Sequence, residues 1–193
     1  MDPSHALASG ELKNEHKLIL RMLDIVEEAC RRLESGDNVS AKVFDEVTDF
    51  ITTFADKCHH GKEQDTLFPL MGERGFPTEM GPIAVMLIEH DQGREFVRGL
   101  VDATKRYGGR DDEAVAGVIQ NARGYVELLR QHIYKEDNML YPLGDKVLTR
   151  EDDERLLREF ERIERDVIGS EKHEYYVHMV GQLEKEFGIH GTT

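Results

Sequence analysis

Cysteine is scarce in this sequence: Cys30 and Cys58 are the only two among 193 residues. They form no Cys-x-x-Cys motif and no disulfide framework, which points to a reducing compartment and a cytoplasmic protein. Long apolar runs are missing too. None nears the roughly 20 residues of a membrane-spanning helix, so an integral membrane protein is not expected. The first residues, Met1-Asp2-Pro3-Ser4-His5, lack the basic-then-apolar layout of a secretory leader. Basic residues are outnumbered, 25 Lys and Arg against 39 Asp and Glu, for a net charge of −14. A nucleic-acid binder concentrates Lys and Arg on one face, and this balance argues against one. Low-complexity segments and strand-like alternation are also wanting. What remains is an acidic, soluble chain, long enough to bury one sizeable core, with nine histidines.

Apolar residues recur at three- and four-residue spacing, the period of helices. Leu12, His16, Ile19, Leu23, Val26 and Cys30 form one stripe, with Ser9 as expected N-cap and Gly36 as the stop. A second helix is expected from near Ser40 past Glu63, with Val47, Ile51, Phe54 and Cys58 inward and Pro69 near its end. A third starts near Thr78, accepts Pro82 in its first turn and stops at Gly108-Gly109; Ile83, Leu87, His90, Val97 and Val101 make its stripe. A fourth runs from about Asp112 to Tyr141, carrying Val118, Ala122, Tyr125, Leu129, His132, Glu136 and Leu140, until Pro142 stops it. The expected fold is all-α, an antiparallel four-helix up-and-down bundle over residues 8–145. A C-terminal helical extension, residues 146–190, should pack on it: Thr149 caps a helix through Asp152, with Leu156, Phe160, Ile163 and Val167 on its stripe. Gly169-Ser170 then breaks the chain before a last helix to about Phe187.

The chain repeats itself. His59-His-Gly-Lys-Glu-Gln-Asp-Thr-Leu-Phe-Pro-Leu70 aligns without gaps on His132-Ile-Tyr-Lys-Glu-Asp-Asn-Met-Leu-Tyr-Pro-Leu143. Each half also has a Glu-His pair on its first helix, Glu15-His16 and Glu89-His90. Two copies of one helix pair, related by an approximate twofold axis, bring equivalent residues to a shared centre. A repeat made only for packing would retain only apolar positions, yet this one retains a His on the first helix and a His-x-x-x-Glu on the second. Residues four apart share a helix face. His16, His59, Glu63, His90, His132 and Glu136 therefore point into one bundle interior as metal ligands. Two buried carboxylates cost several kcal/mol each unless their charge is compensated. A pair of divalent ions supplies that compensation, and nitrogen plus oxygen donors suit iron, manganese or zinc.

At these residues the chain resembles the hemerythrin-like family of HHE cation-binding proteins. The resemblance rests on Glu15-His16, the block from His59 through Glu63 to Pro69, Glu89-His90-Asp91, and the block from His132 through Glu136 to Pro142. The ferritin-like alternative carries Glu-x-x-His, and none of the nine histidines here has a Glu three residues before it. The resemblance implies two iron ions bridged by Glu63, Glu136 and an oxo or hydroxo group, with His16, His59, His90 and His132 as terminal ligands. Oxygen-carrying members have a fifth histidine a turn from the one on the third helix. Here Met86 and Arg94 stand four residues either side of His90, so that ligand is missing and one coordination position is left open on each ion.

Other polar residues carry weaker expectations. His60 could substitute for the missing fifth ligand, but it lies about 100° round an α-helix from His59 and is expected beside the ligands or at the surface. Tyr125, two turns before His132 on the same face, could be a donor beside the ligands or a redox-active phenol, but reads first as a core tyrosine with a satisfied hydroxyl; Tyr134 reads as exposed and Cys58 as a small buried apolar residue. Glu15 and Glu89 either orient the histidines or solvate their helices. His173 and His178 read as solvated, and His5 and His190 carry no argument. Functionally, the resemblance implies binding of dioxygen or nitric oxide for sensing, storage or delivery. An enzyme reducing peroxide or nitric oxide, or a metal-stapled interaction protein with a redox or protein partner, are the alternatives.

Overall fold

The computed structural model describes residues 7–107 and 112–189, and the regular structure among them is wholly helical. Six helices follow in order: α1 (Ala8–Glu34), α2 (residues 41–73), α3 (Pro82–Tyr107), α4 (residues 112–147), α5 (residues 150–168) and α6 (Ser170–Phe187). The first four close into a ring, α1 touching α2 and α4, and α3 touching α2 and α4. This is the four-helix bundle that the hydrophobic period predicts. The α3–α4 contact is the tightest: a Cβ at Gly124 would overlap the Phe96 ring, and one at Gly99 would overlap the Asn121 amide.

The bundle's apolar interior is in two pieces. One cluster runs from Leu18 to Leu33 on α1 and from Val43 to Cys58 on α2, with Leu100 of α3 and Leu129 of α4. The other gathers Leu12, Leu67, Phe68, Ile83, Met86, Leu140 and Tyr141 near the opposite end. Between them, on each of the four helices, lie the buried polar residues His16, His59, Glu63, His90, His132 and Glu136. A polar layer enclosed by apolar ones is shielded from water, which strengthens every interaction inside it.

α2 and α4 do not wind uniformly. α2 is π-helical at Ile51–His60 and Glu63–Leu67, and α4 at Glu136–Leu140. These turns correct one expectation, because Pro142 does not stop its helix, which runs on to Val147, while Pro69 stands near the end of α2 as expected. Each sits in the first turn of an α-helical stretch, Phe68–Glu73 or Tyr141–Val147. Proline lacks an N–H and crowds the preceding turn. The i→i+5 turns, closed by the Phe68 N–H on the Glu63 carbonyl and the Tyr141 N–H on the Glu136 carbonyl, widen the helix just before each ring.

Other boundaries move for similar local reasons. Ser9 is not the N-cap of α1; the helix begins at Ala8, whose N–H is capped by Asp153 Oδ1 from α5 at 3.0 Å. α3 starts at Pro82 rather than Thr78, after Gly81 turns the chain with φ at 76°. The expected stop at Gly108-Gly109 lies outside the described residues, as do His5 and His190. Thr149 caps α5 reciprocally with Asp152, as its sequence predicts. Past Ile163 a π turn at Glu164–Ile168 advances the register, so Ile168 is buried and Val167 is exposed, contrary to the stripe drawn through Val167.

α5 and α6 lie along the bundle. Leu156 and Phe160 join the core cluster near Leu12, while Tyr176, Met179, Val180, Leu183 and Phe187 join the other. Arg74 grips Asp152 through two nitrogens, Arg21 grips Glu184 likewise, and the Tyr176 hydroxyl donates to Asp49.

Candidate metal centre

Four helices each bring one imidazole to the polar layer, and α2 and α4 add a carboxylate one turn on. All six side chains are at most 1 % exposed. Together with His60, they sort into two sets whose donor atoms lie within 4.8 Å of one another: His16, His59 and Glu136, and His60, Glu63, His90 and His132. His16 Nε2 and His59 Nε2 are 2.9 Å apart, and His90 Nε2 and His132 Nε2 are 3.1 Å apart. Two nitrogens bound at about 2.1 Å and at right angles on one ion would be about 3.0 Å apart. Each imidazole pair is thus spaced as adjacent ligands are.

Glu136 joins the two sets. Its Oε2 lies 3.3 Å from His16 Nε2 and its Oε1 lies 3.1 Å from His132 Nε2. Glu63 directs Oε2 to both sides, 3.5 Å from His90 Nε2 and 3.9 Å from His59 Nε2, while its Oε1 accepts a 2.7 Å bond from the Tyr141 hydroxyl. Both Glu136 oxygens, Glu63 Oε2 and His90 Nδ1 are buried without a hydrogen-bond partner. Buried polar atoms are ordinarily satisfied. Orphaned carboxylate oxygens ringed by imidazole nitrogens are what a cation would complete, so the donor set fits a two-metal group.

Outer partners set the tautomers. The His59 Nδ1–H donates to Glu15 at 2.8 Å, the His132 Nδ1–H to Glu89 at 3.0 Å and the His16 Nδ1–H to Asp137 at 2.9 Å. Each leaves Nε2 free for the centre. The glutamate before each first-helix histidine therefore serves the other helix's histidine rather than its own neighbour. Lys62 and Lys135 bind these glutamates in turn.

The metal-free charge pattern is uneven. Burial and the Glu136 charge push the Glu63 carboxyl up to about 8, whereas His132 and His16 overcome burial and hold Glu136 well below its usual range. Burial opposes protonation of His16, but Asp137 and Glu136 raise it to about 9; Glu136 and Glu89 raise His132 against burial to about 10. Burial and the neighbouring His132 lower His90 to about 3. Two imidazolium protons thus do some of the neutralising that a cation would do.

Three further residues shape the site. Of the two places expected for His60, it takes the one beside the ligands. It is buried, its ring stacks on His90 at 3.8 Å between centroids, and Nδ1 reaches Asp56 at 3.4 Å. The i→i+5 winding through His60 separates neighbours by less than 100°, so His59 and His60 both face inward. Tyr125 is buried as expected, but its hydroxyl has no hydrogen-bond partner. It lines a cavity of about 250 Å³ with His60, His90, Gly93, Arg94 and Val97. Tyr141 was missed: it coincides with Phe68 in the repeat, and that one hydroxyl was the available signal. Cys58 is buried and Tyr134 exposed, as expected, while His173 is half-exposed and bound to Glu164.

Comparison with known proteins places this geometry. A family model described as the hemerythrin HHE cation-binding domain matches residues 7–144. An uncharacterized protein of Mycobacterium tuberculosis and another of Mycobacterium bovis are each 26 % identical over 183 residues, covering 95 % of this chain and 71 % of theirs. No solved structure gives a significant match.

Proposed function

The chain belongs to the hemerythrin HHE cation-binding family, and on that footing we propose that it is a di-iron protein binding dioxygen or nitric oxide for sensing, storage or delivery. Glu136 carries this reading, because it turns one unpartnered oxygen to each imidazole pair. His16 and His59 would hold one ion, His90 and His132 the other, with Glu63 and Glu136 between them. Bound there, iron would supply exchangeable coordination positions and a reversible change of oxidation state. The chain's own groups do the rest. Glu15, Glu89 and Asp137 orient three rings, two apolar layers exclude bulk water, and the Tyr125 hydroxyl offers a donor to a small molecule entering beside His90.

A second reading, reduction of peroxide or nitric oxide, is favoured by that cavity. Its volume is several times the roughly 30 Å³ share of one water, more room than a diatomic needs. Two buried free thiols, Cys30 and Cys58, both pushed up to about 12 chiefly by burial, suit a reducing cytoplasm. The deciding experiment is elemental analysis with optical spectra on anaerobically purified protein, then exposed to air and to nitric oxide. Two irons per chain and a reversible adduct support the binder. Direct oxidation with turnover supports the enzyme. Zinc, or no metal, sinks both.

A further inference from the structure

The two imidazole pairs are supported by equivalent residues in unequal surroundings. On the His90–His132 side, Glu89 and Lys135 back His132 at the surface, with Lys135 31 % exposed. On the His16–His59 side, Lys62 has no exposed surface. α5 makes the difference. Its Phe160 ring lies 5.6 Å beneath the Lys62 ammonium, and Glu164, in the π turn of α5, approaches the same nitrogen at 3.3 Å. Lys62 Nζ also donates to Glu15 at 2.6 Å and to Glu11 at 3.0 Å. An ammonium has three N–H donors, and here three carboxylates receive them. His173 of α6 in turn donates to the far oxygen of Glu164 at 2.8 Å.

A continuous chain of contacts therefore runs from half-exposed His173 through Glu164, Lys62 and Glu15 to His59 Nδ1. Its outer two members lie beyond residues 7–144, the span matched by the family. We propose that the C-terminal helices complete the support of one half of the metal centre, with Glu164 as a positioning residue that fixes Lys62 on Glu15 and so fixes the His59 ring. His173 steadies Glu164. The bundle's own symmetry does not supply this device, since among the described residues no third helix covers Lys135, which is 31 % exposed. The extension thus makes the two metal positions unequal, holding the ion at His16 and His59 more firmly. This assignment rests on the two-metal reading above.

Two readouts test it. Iron release from the loaded protein to a ferrous chelator should be biphasic. Glu164→Leu removes the acceptor and should speed one phase by about 3–10-fold, somewhat less than loss of a direct outer-shell partner, leaving the other phase alone. Glu164→Gln, which keeps an acceptor oxygen, should restore most of the slow phase, and His173→Gln should give a smaller change than Glu164→Leu. In metal-free protein, nitrogen NMR of His59 should find the Nδ1–H tautomer dominant in the wild type and depleted in Glu164→Leu. Unchanged release with an unchanged tautomer overturns the assignment. So does equal acceleration of both phases alongside a lowered melting temperature, which would mean that Glu164 serves the fold alone. A wild-type chain that holds no iron overturns the two-metal reading instead, and the metal-free NMR still decides whether Glu164 positions His59.

Discussion

The two halves of the candidate metal centre carry the same donor types and differ in nearly everything around them. Beside His16 stand Tyr141, whose hydroxyl binds Glu63, and Asp137, which accepts from the ring. At the repeat-equivalent places beside His90 are Phe68, which offers only a ring face, and Gln64, which is engaged by Arg94. His16 is therefore anchored at Nδ1, while His90 Nδ1 has no partner and its ring is held by the stack with His60. The cavity is lined by His90 and His60, and by neither His16 nor His59. The two repeats keep the same candidate ligands, while their differing neighbours anchor His16 at Nδ1 and set a cavity beside His90.

The largest expected effect comes from removing the shared carboxylate. Glu136→Ala takes an oxygen from both imidazole pairs and should reduce bound metal from two ions per chain to one or none. Glu63→Ala, whose free oxygen is farther from both pairs, should lose less affinity. Elemental analysis after dialysis compares them, and equal retention of two ions in both variants would break the bridging assignment.

Next is pH. In metal-free protein the folded-state pKa values of His16 and His132, about 9 and about 10, lie above the ordinary histidine value of 6.5. Their stabilising contribution is fully present below pH 6.5 and is lost as pH rises through 9 to 10. Glu63, raised to about 8, acts in the same direction as pH rises to that value. Metal-free protein should thus lose on the order of a few kcal/mol between pH 6.5 and 10. Metal affinity should rise over the same window as the imidazoles shed protons. Thermal melts with and without metal across that range measure both, and a metal-free melting temperature that climbs would contradict the charge pattern.

Two smaller effects probe the asymmetry directly. Tyr141→Phe makes the halves alike and deprives buried Glu63 of its hydrogen bond, at an expected cost of about 1–3 kcal/mol in denaturant unfolding. The reciprocal Phe68→Tyr should not compensate, because Phe68 stands over the His90 ring. Gly93→Leu should fill the cavity. A Cβ there meets the Tyr125 ring at an ordinary 3.5 Å, so the backbone tolerates it. Nitric oxide association, followed by stopped flow, should slow by about tenfold with metal content unchanged, a barrier of roughly 1.4 kcal/mol. An unchanged rate would mean that small molecules arrive by another side.

Much of this molecule was legible in advance because the relevant signals are periodic. Helical stripes announced four bundle helices and two more, and the repeat announced that four histidines and two glutamates face one interior. Helix ends were read less well. Ser9 has the chemistry of a cap, yet Asp153, far away in sequence, caps α1 instead. Pro142 has the chemistry of a stop, yet the helix runs on past it to Val147 after a π turn. Ile168 rather than Val167 is buried for the same reason, as a widened turn advances the register by a residue.

The sequence by itself determined the all-helical bundle and the convergence of the six candidate ligands, since both follow from spacing along a helix of known pitch. Only the tertiary structure decided that His60 faces inward, that Tyr141 binds Glu63, that a cavity stands beside His90 and that Lys62 is buried beneath α5. Those features depend on local departures from uniform pitch and on which surfaces meet. Neither is encoded in the spacing of residues along one helix, because each arises from packing energies shared among several.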